Sequence, residues 1–359
     1  MSTDTLSSAP GVGGPGKGPL LEVDDLRVSF RTEDGMVQAV DGVSFEVKPG
    51  EVLAVVGESG CGKSVTAMTL MGLTRGPNAQ ISGTAQLGET ELIGADDSDL
   101  REVRGERLAM IFQDPMTSMN PVYKVGDQIS EQILAHRDLS KAEAKQRSIE
   151  LLKAVGIPGA EERIDNYPHE FSGGMRQRAM IAMGLSLEPP MLIADEPTTA
   201  LDVTIQAQIL RLLKQLNTER GLAVILITHD LGVVADIADR VMVMYAGRVV
   251  ETGTLDQIFY EPQHPYTWGL LGSIMRLDRP RGARLAQIKG QPPSLIEPPE
   301  GCHFRPRCPH AFSRCTEKPE LAQRSGSPGH LDRCWLSGEQ KKTLRTLESG
   351  DIGLEDAAA

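Results

Sequence analysis

The sequence predicts an α/β fold, with helices packed on a mainly parallel sheet around a phosphate-binding loop, and three observations predict it. The run Gly57, Glu58, Ser59, Gly60, Cys61, Gly62, Lys63, Ser64 fits G-x-x-x-x-G-K-[ST]. It follows an apolar stretch over 51–56 that reads as a buried strand, and it leads into a helix over 65–73. A second apolar run, Met191, Leu192, Ile193, Ala194, ends in the acids Asp195 and Glu196, at the carboxyl end of a strand, where doubly wound sheets place their ligands. After it come a helix over 203–218 and further strands over 222–228 and 240–245.

Each motif residue has a chemical reason. The loop glycines let the backbone wrap phosphates so that its N–H groups point inward; Lys63 reaches the β and γ phosphates and the Ser64 hydroxyl can ligate magnesium. Asp195 would hold the magnesium, directly or through water, and Glu196 is placed to polarise an attacking water as general base. An isolated Asp-Glu pair would read as a solvated turn, a reading that loses force beside a phosphate loop. Cys61 fills a free loop position near a helix N-terminus, where a thiol's pKa tends to fall; the plainer reading is a small residue that fits.

Between the two halves lies a segment in which Val125, Ile129, Ile133 and Leu134, then Ile149, Leu151, Leu152 and Val155, recur at helical spacing among charged residues. It predicts two amphipathic helices and a stop at Gly156, Ile157 and Pro158. The chain has 359 residues, 40% of them hydrophobic, enough for one sizeable domain and a smaller one. Its net charge of -12 and lack of a long basic face argue against nucleic acid as partner. No apolar stretch approaches the roughly 20 residues that span a bilayer. Residues 1–19, rich in Gly, Pro and Ser, read as a disordered tail, and 337–359 as a second flexible end.

Taken in order, the loop at 57–64, Gln113 after an apolar run, the signature Ser172, Gly173, Gly174, then Asp195 and Glu196, then Ala200, Leu201, Asp202, and finally His229 resemble the nucleotide-binding subunit of ATP-binding-cassette transporters. The resemblance implies a phosphate-loop ATPase core over 20–255 with a mainly parallel sheet, an antiparallel β subdomain and a helical subdomain at about 115–185. It implies that Gln113 touches magnesium and senses the γ phosphate, and that His229 bonds the γ phosphate and keeps Glu196 in line. Asp202 belongs to the nucleotide site, and the helix opened by Ser172 faces ATP held by a second protomer. Phe30 is the aromatic placed to stack on adenine, although it closes an alternating strand and suits a core role equally. The signature reads Phe171 first and Met175 last where the commonest form has Leu and Gln, so only its flanks depart.

Farther on, Pro262 to Thr267, Lys289 to Ser294 and Gly301 to Pro309 are similar to the extension of ATPase subunits in the dipeptide, oligopeptide and nickel importer group. This makes 256–336 a small Cys-rich C-terminal domain. Its Cys302, Cys308, Cys315 and Cys334 are separated by five, six and eighteen residues, without the C-x-x-C pairs of zinc knuckles. Four thiols suit tetrahedral zinc or a [4Fe-4S] cluster, and the resemblance points to the cluster; two disulfides or free thiols are the plain alternative. Arg305, Arg307 and Arg314 between them either offset thiolate charge or form a solvated face.

The reading that results is an ATP- and magnesium-dependent ATPase at the cytoplasmic face of a membrane, energising a peptide importer. Its partners would be a second, paralogous ATPase subunit, two permeases and an extracytoplasmic binding protein. Nickel or another small solute is the alternative cargo. A soluble cassette ATPase acting on ribosomes or DNA would carry paired cassettes or basic insertions, which the sequence lacks; a cassette with a redox-sensing cysteine domain is the third reading.

Overall fold

The computed structural model of the chain describes residues 18–114, 118–198, 201–273 and 288–350. Most of the expected N-terminal tail, residues 115–117 after Gln113, Ala200 and the last nine residues lie outside these.

Among the described residues, twelve strands form two sheets. Strands β1 (Leu21–Thr32), β2 (Gly35–Val47), β4 (Ala79–Leu87) and β5 (Thr90–Glu91) make an antiparallel sheet in the order β2-β1-β4-β5. The larger sheet combines β3 (Val52–Val56), β6 (Leu108–Ile111), β7 (Met191–Asp195), β8 (Ala223–Thr228), β9 (Arg240–Tyr245), β10 (Arg248–Thr254), β11 (Ala322–Gln323) and β12 (Leu331–Asp332). Its order is β11-β12-β10-β9-β3-β8-β7-β6, parallel from β9 to β6 and antiparallel beyond β9. Strand β3, Val-Leu-Ala-Val-Val, is buried at every residue because β8 and β9 flank it and both its faces are covered, which is why it reads as a continuous apolar run.

Helices cover both faces. The first, α1 (Lys63–Leu70), follows the phosphate loop, and α2 (Asp97–Val103) follows the antiparallel sheet. The helical subdomain holds α3 (Val125–His136), α4 (Lys141–Ala154), α5 (Ala160–Arg163) and α6 (Gly173–Gly184). Ser140 starts α4 through a capping box with Glu143, and the Gly156 N–H closes its far end on the Lys153 carbonyl, at a φ of +76° that suits glycine. One apolar cluster joins Val125, Ile129, Ile133, Leu151 and Leu152 to Ile181 of α6 and Leu192 of β7. The two expected amphipathic helices are therefore present, and they pack on the sheet through α6.

The remaining helices are α7 (Val203–Arg220), α8 (Leu231–Ile237), α9 (Leu255–Tyr260), α10 (Pro265–Gly272) and α11 (Gly338–Gly350). Two features depart from the sequence reading. The C-terminal region does not stand apart: β12 pairs with β10, Glu251 opposite Asp332, so the extension prolongs the ATPase sheet. Residues 338–350, expected as part of a loose end, form α11, and its Lys341 is 1% exposed with Nζ 2.6 Å from Asp332 Oδ1. A buried carboxylate recruits a lysine there, which an amphipathic pattern does not signal. No helix among the described residues is long and apolar enough to cross a membrane.

Candidate nucleotide site and thiol cavity

The phosphate loop leaves the carboxyl end of central β3. A Cβ on Gly57 would lie 2.2 Å from the Met244 carbonyl oxygen, and one on Gly62 would lie 2.4 Å from that of Ala39. Neighbouring backbone thus forbids side chains at both positions, which explains two of the motif's glycines. Lys63 is 6% exposed, and its Nζ donates to the carbonyls of Gly57 at 2.8 Å and Glu58 at 3.0 Å. Ser59 and Gly60 lie at the exposed tip of the loop, and Cys61 is buried beneath it. Burial pushes the Cys61 thiol up despite nearby Lys63, the reverse of the lowering expected at a helix N-terminus, because the thiol faces the protein interior.

The paired acids divide their work by direction. Asp195, 4% exposed at the end of β7, accepts a hydrogen bond at 3.1 Å from Ser64 Oγ. Burial raises its carboxyl, the Glu196 charge adds to the rise, and the Ser64 bond and Lys63 oppose it. Glu196 takes a left-handed backbone, φ +47°, and its carboxylate meets partners different from those of Asp195. Its Oε2 accepts from Gln113 Nε2 at 3.1 Å, and its Oε1 lies 3.2 Å from His229 Nδ1. Three residues from three separate strand ends are thereby brought together, and a hard-oxygen pair, Ser64 and Asp195, sits next to them.

Ser172 caps α6, its Oγ accepting the Met175 N–H at 3.3 Å, and both Ser172 and Gly173 are exposed. Asp202 caps α7 by accepting the Ile205 N–H at 3.0 Å. The capping role explains each residue locally without engaging the phosphate loop of its own chain. Phe30 is partly buried against the cluster of Leu21, Val28, Val40 and Val43, which is the core alternative.

All four C-terminal cysteines are free and line one cavity, together with His264, Phe304, Phe312 and Trp335. Burial raises Cys302 and pushes Cys308 and Cys334 up to about 12, and charge on the neighbouring thiols adds to each rise. Among the described residues no three His, Cys, Asp or Glu side chains converge as a ready-made ion site. Of the arginines between these cysteines, Arg314 is exposed, as on a solvated face, and Arg307 departs from both expectations. Arg314 stacks on Trp335 at 3.8 Å from the ring centre. Arg307 is 5% exposed and turns to Glu58 of the phosphate loop, so it belongs neither to a solvated face nor to the thiols. Nothing in the sequence paired these two residues.

A phosphate loop, a magnesium-type Ser–Asp pair, and a glutamate braced by glutamine and histidine, all at one end of a parallel sheet, define an ATP-binding-cassette ATPase. Residues 40–199 match the family model described as ABC transporter, and 250–315 match the one described as Oligopeptide/dipeptide transporter, C-terminal region. The chain is 52% identical over 321 residues to the oligopeptide transport ATP-binding protein OppD of Salmonella typhimurium, covering 89% of this chain and 95% of the relative. It is 52% identical over 333 residues to the dipeptide transport ATP-binding protein DppD of Bacillus subtilis, covering 92% and 98%. Among solved structures, a dimeric post-hydrolysis state of the ATP-binding cassette MJ0796 bound to ADP and Pi superimposes with a TM-score of 0.59 at 27% identity, covering 66% of this chain and 98% of that one. The chain belongs to the family of oligopeptide and dipeptide transport ATP-binding proteins within the ATP-binding-cassette transporters.

Proposed function

We propose that the chain is the ATP-hydrolysing subunit that energises a membrane importer for peptides, working at the cytoplasmic face. The observation that carries this reading is Glu196, held between Gln113 and His229 one residue beyond the Asp195–Ser64 pair.

Hydrolysis of a phosphoanhydride depends on neutralising charge and placing water in line more than on covalent chemistry. Loop N–H groups and Lys63 neutralise the phosphates. Ser64, Asp195 and Gln113 would hold magnesium, which would supply charge neutralisation at the phosphates. Glu196 accepts a proton from the attacking water, and Gln113 and His229 fix the direction of its carboxylate. The exposed N-terminus of α6 offers unpaired N–H groups to the γ phosphate of a second ATPase subunit, with Ser172 at its head. Two ATPase subunits would close around two nucleotides and drive two permeases, with an extracytoplasmic binding protein delivering the peptide; the relatives' names support peptide as the cargo.

The thiol cavity supports a bound group in the C-terminal domain. Tetrahedral zinc needs four sulfurs about 2.3 Å from one point. Four thiols lining one cavity are a donor set for either ion or cluster, and the resemblance of the C-terminal extension favours a [4Fe-4S] unit.

The test is reconstitution of the ATPase with its permeases in vesicles. ATP turnover should rise when peptide-loaded binding protein is added and stay flat with nickel. Turnover indifferent to permeases and binding protein would overturn the importer reading. A Ser172→Arg chain mixed with a wild-type partner subunit should lose hydrolysis while still binding ATP in its own loop; full turnover would remove the shared site.

A further inference from the structure

Glu58 occupies a position that the phosphate-loop motif leaves free, yet every polar group it has is engaged. Its N–H donates to the Tyr266 hydroxyl at 2.9 Å, and its carbonyl accepts from Lys63 Nζ at 3.0 Å. Its carboxylate meets the Arg307 guanidinium at two points, Nη1 to Oε2 at 2.6 Å and Nη2 to Oε1 at 3.0 Å. Tyr266 and Arg307 both come from the C-terminal region, which the ATPase chemistry does not otherwise use.

Arg307 is itself fixed. Its Nε donates to the Lys289 carbonyl at 3.1 Å, and Nη1 also lies 3.3 Å from the Tyr245 hydroxyl. Its own N–H closes a turn on the Phe304 carbonyl at 2.9 Å, in the loop between Cys302 and Cys308. Phe304 packs edge-on against Tyr245, with ring centres 5.2 Å apart, and against Tyr266 at 5.4 Å. An exposed ion pair contributes little, but a two-point arginine–carboxylate pair with a buried donor constrains direction as well as distance. A continuous path of contacts therefore runs from the cysteine loop through Arg307 and Glu58 to Lys63.

We propose that Arg307 is a positioning residue for the ATP site: together with Tyr266 it holds the phosphate loop in its binding shape through Glu58, so the C-terminal domain sets ATP affinity. This deepens the ATPase reading and rests on it.

The experiment measures ATP dissociation constants and steady-state kinetics on the full chain with its partner subunit. Arg307→Met should weaken ATP binding and raise KM about tenfold while kcat at saturation stays within about twofold, since Glu196 and its braces are untouched. Glu58→Gln should do the same, and the double variant should be no worse than either single, because both remove one contact. Arg307→Lys, which keeps the charge but not the fork, should recover only part of the affinity. Unchanged affinity in folded Arg307→Met, or additive losses in the double variant, would overturn the proposal. Should Arg307→Met fail to fold, Glu58→Gln decides alone, because it leaves the C-terminal domain's own residues intact. Lys63→Ala is the control for the underlying reading: ATP binding that survives it would overturn the ATPase site itself, whatever Arg307 does.

Discussion

Glu196 Oε1 lies 3.2 Å from His229 Nδ1, while the other oxygen of the same carboxylate takes a hydrogen bond from Gln113 at 3.1 Å. A carboxylate gripped on both oxygens points one way, and that is what a general base requires of its acceptor. Glu196→Gln keeps the shape and removes the basicity. Its ATP affinity should be unchanged and its hydrolysis should fall about 10²- to 10⁴-fold, the usual share of general-base catalysis. Single-turnover hydrolysis of radiolabelled ATP checks it, and a rate within tenfold of wild type would take the role of base away from Glu196.

Much of this site was legible in the sequence because its parts are local. Backbone turns, strand ends and helix caps are fixed by runs of eight residues or fewer, so Gly57 to Ser64, Asp195 and Ser172 could be named from pattern. The strand Arg240–Tyr245 falls where its apolar run placed it, and β3 and β8 begin one residue later than expected. What escaped is made of pairs distant in sequence. Arg307 and Glu58 are separated by 249 positions, and an arginine among cysteines looks the same whether it faces solvent or a buried partner. Lys341 and His330 are both buried, and no local pattern in the sequence set either apart. At Cys61 the helix N-terminus was visible in the sequence, and the burial that raises the thiol was not.

Asp41 ties three parts of the molecule together. It pairs with Arg27 of β1, with Arg248 of β10 at 2.7 Å, and with Lys318 of the C-terminal region at 3.6 Å. Burial raises its carboxyl, but the arginines and the lysine outweigh this and leave it below its ordinary value. A depressed carboxyl stabilises the fold above the unfolded-state value, near 3.9, and loses that contribution as pH falls through the lower folded value. Asp41→Asn should therefore cost about 2–3 kcal/mol, constant from pH 7 to pH 5. The gap between variant and wild type should close only below about pH 4. Urea unfolding across that range measures it, and a gap that already narrows between pH 7 and 5 would assign the effect to another group.

The thiol cavity makes a compositional prediction. Protein purified without oxygen should be coloured, with about four irons and four sulfides per chain. Cys308→Ser should lose the colour and unfold at lower temperature. Colourless protein with one zinc would replace the cluster by an ion and require the four sulfurs to draw together beyond their present arrangement.

Glu251 fastens the C-terminal region to the ATPase sheet. It is 0% exposed on β10, and its carboxylate accepts the backbone N–H groups of Gln263 at 2.6 Å and His264 at 2.9 Å, with His330 Nε2 2.7 Å away. Removing it strands two buried amide donors and a buried imidazole, each of which had exchanged water for that one side chain. Glu251→Ala should then destabilise the protein by about 3–5 kcal/mol, the range seen when one partner of a buried charged network is deleted. Because β12 pairs with β10 beside it, the loss should begin in the C-terminal region. Hydrogen exchange at Leu331 and Asp332 should speed up before that at Val52–Val56 in the central strand. Equal acceleration in both strands would mean that Glu251 supports the whole sheet and that the extension has no separate unfolding step.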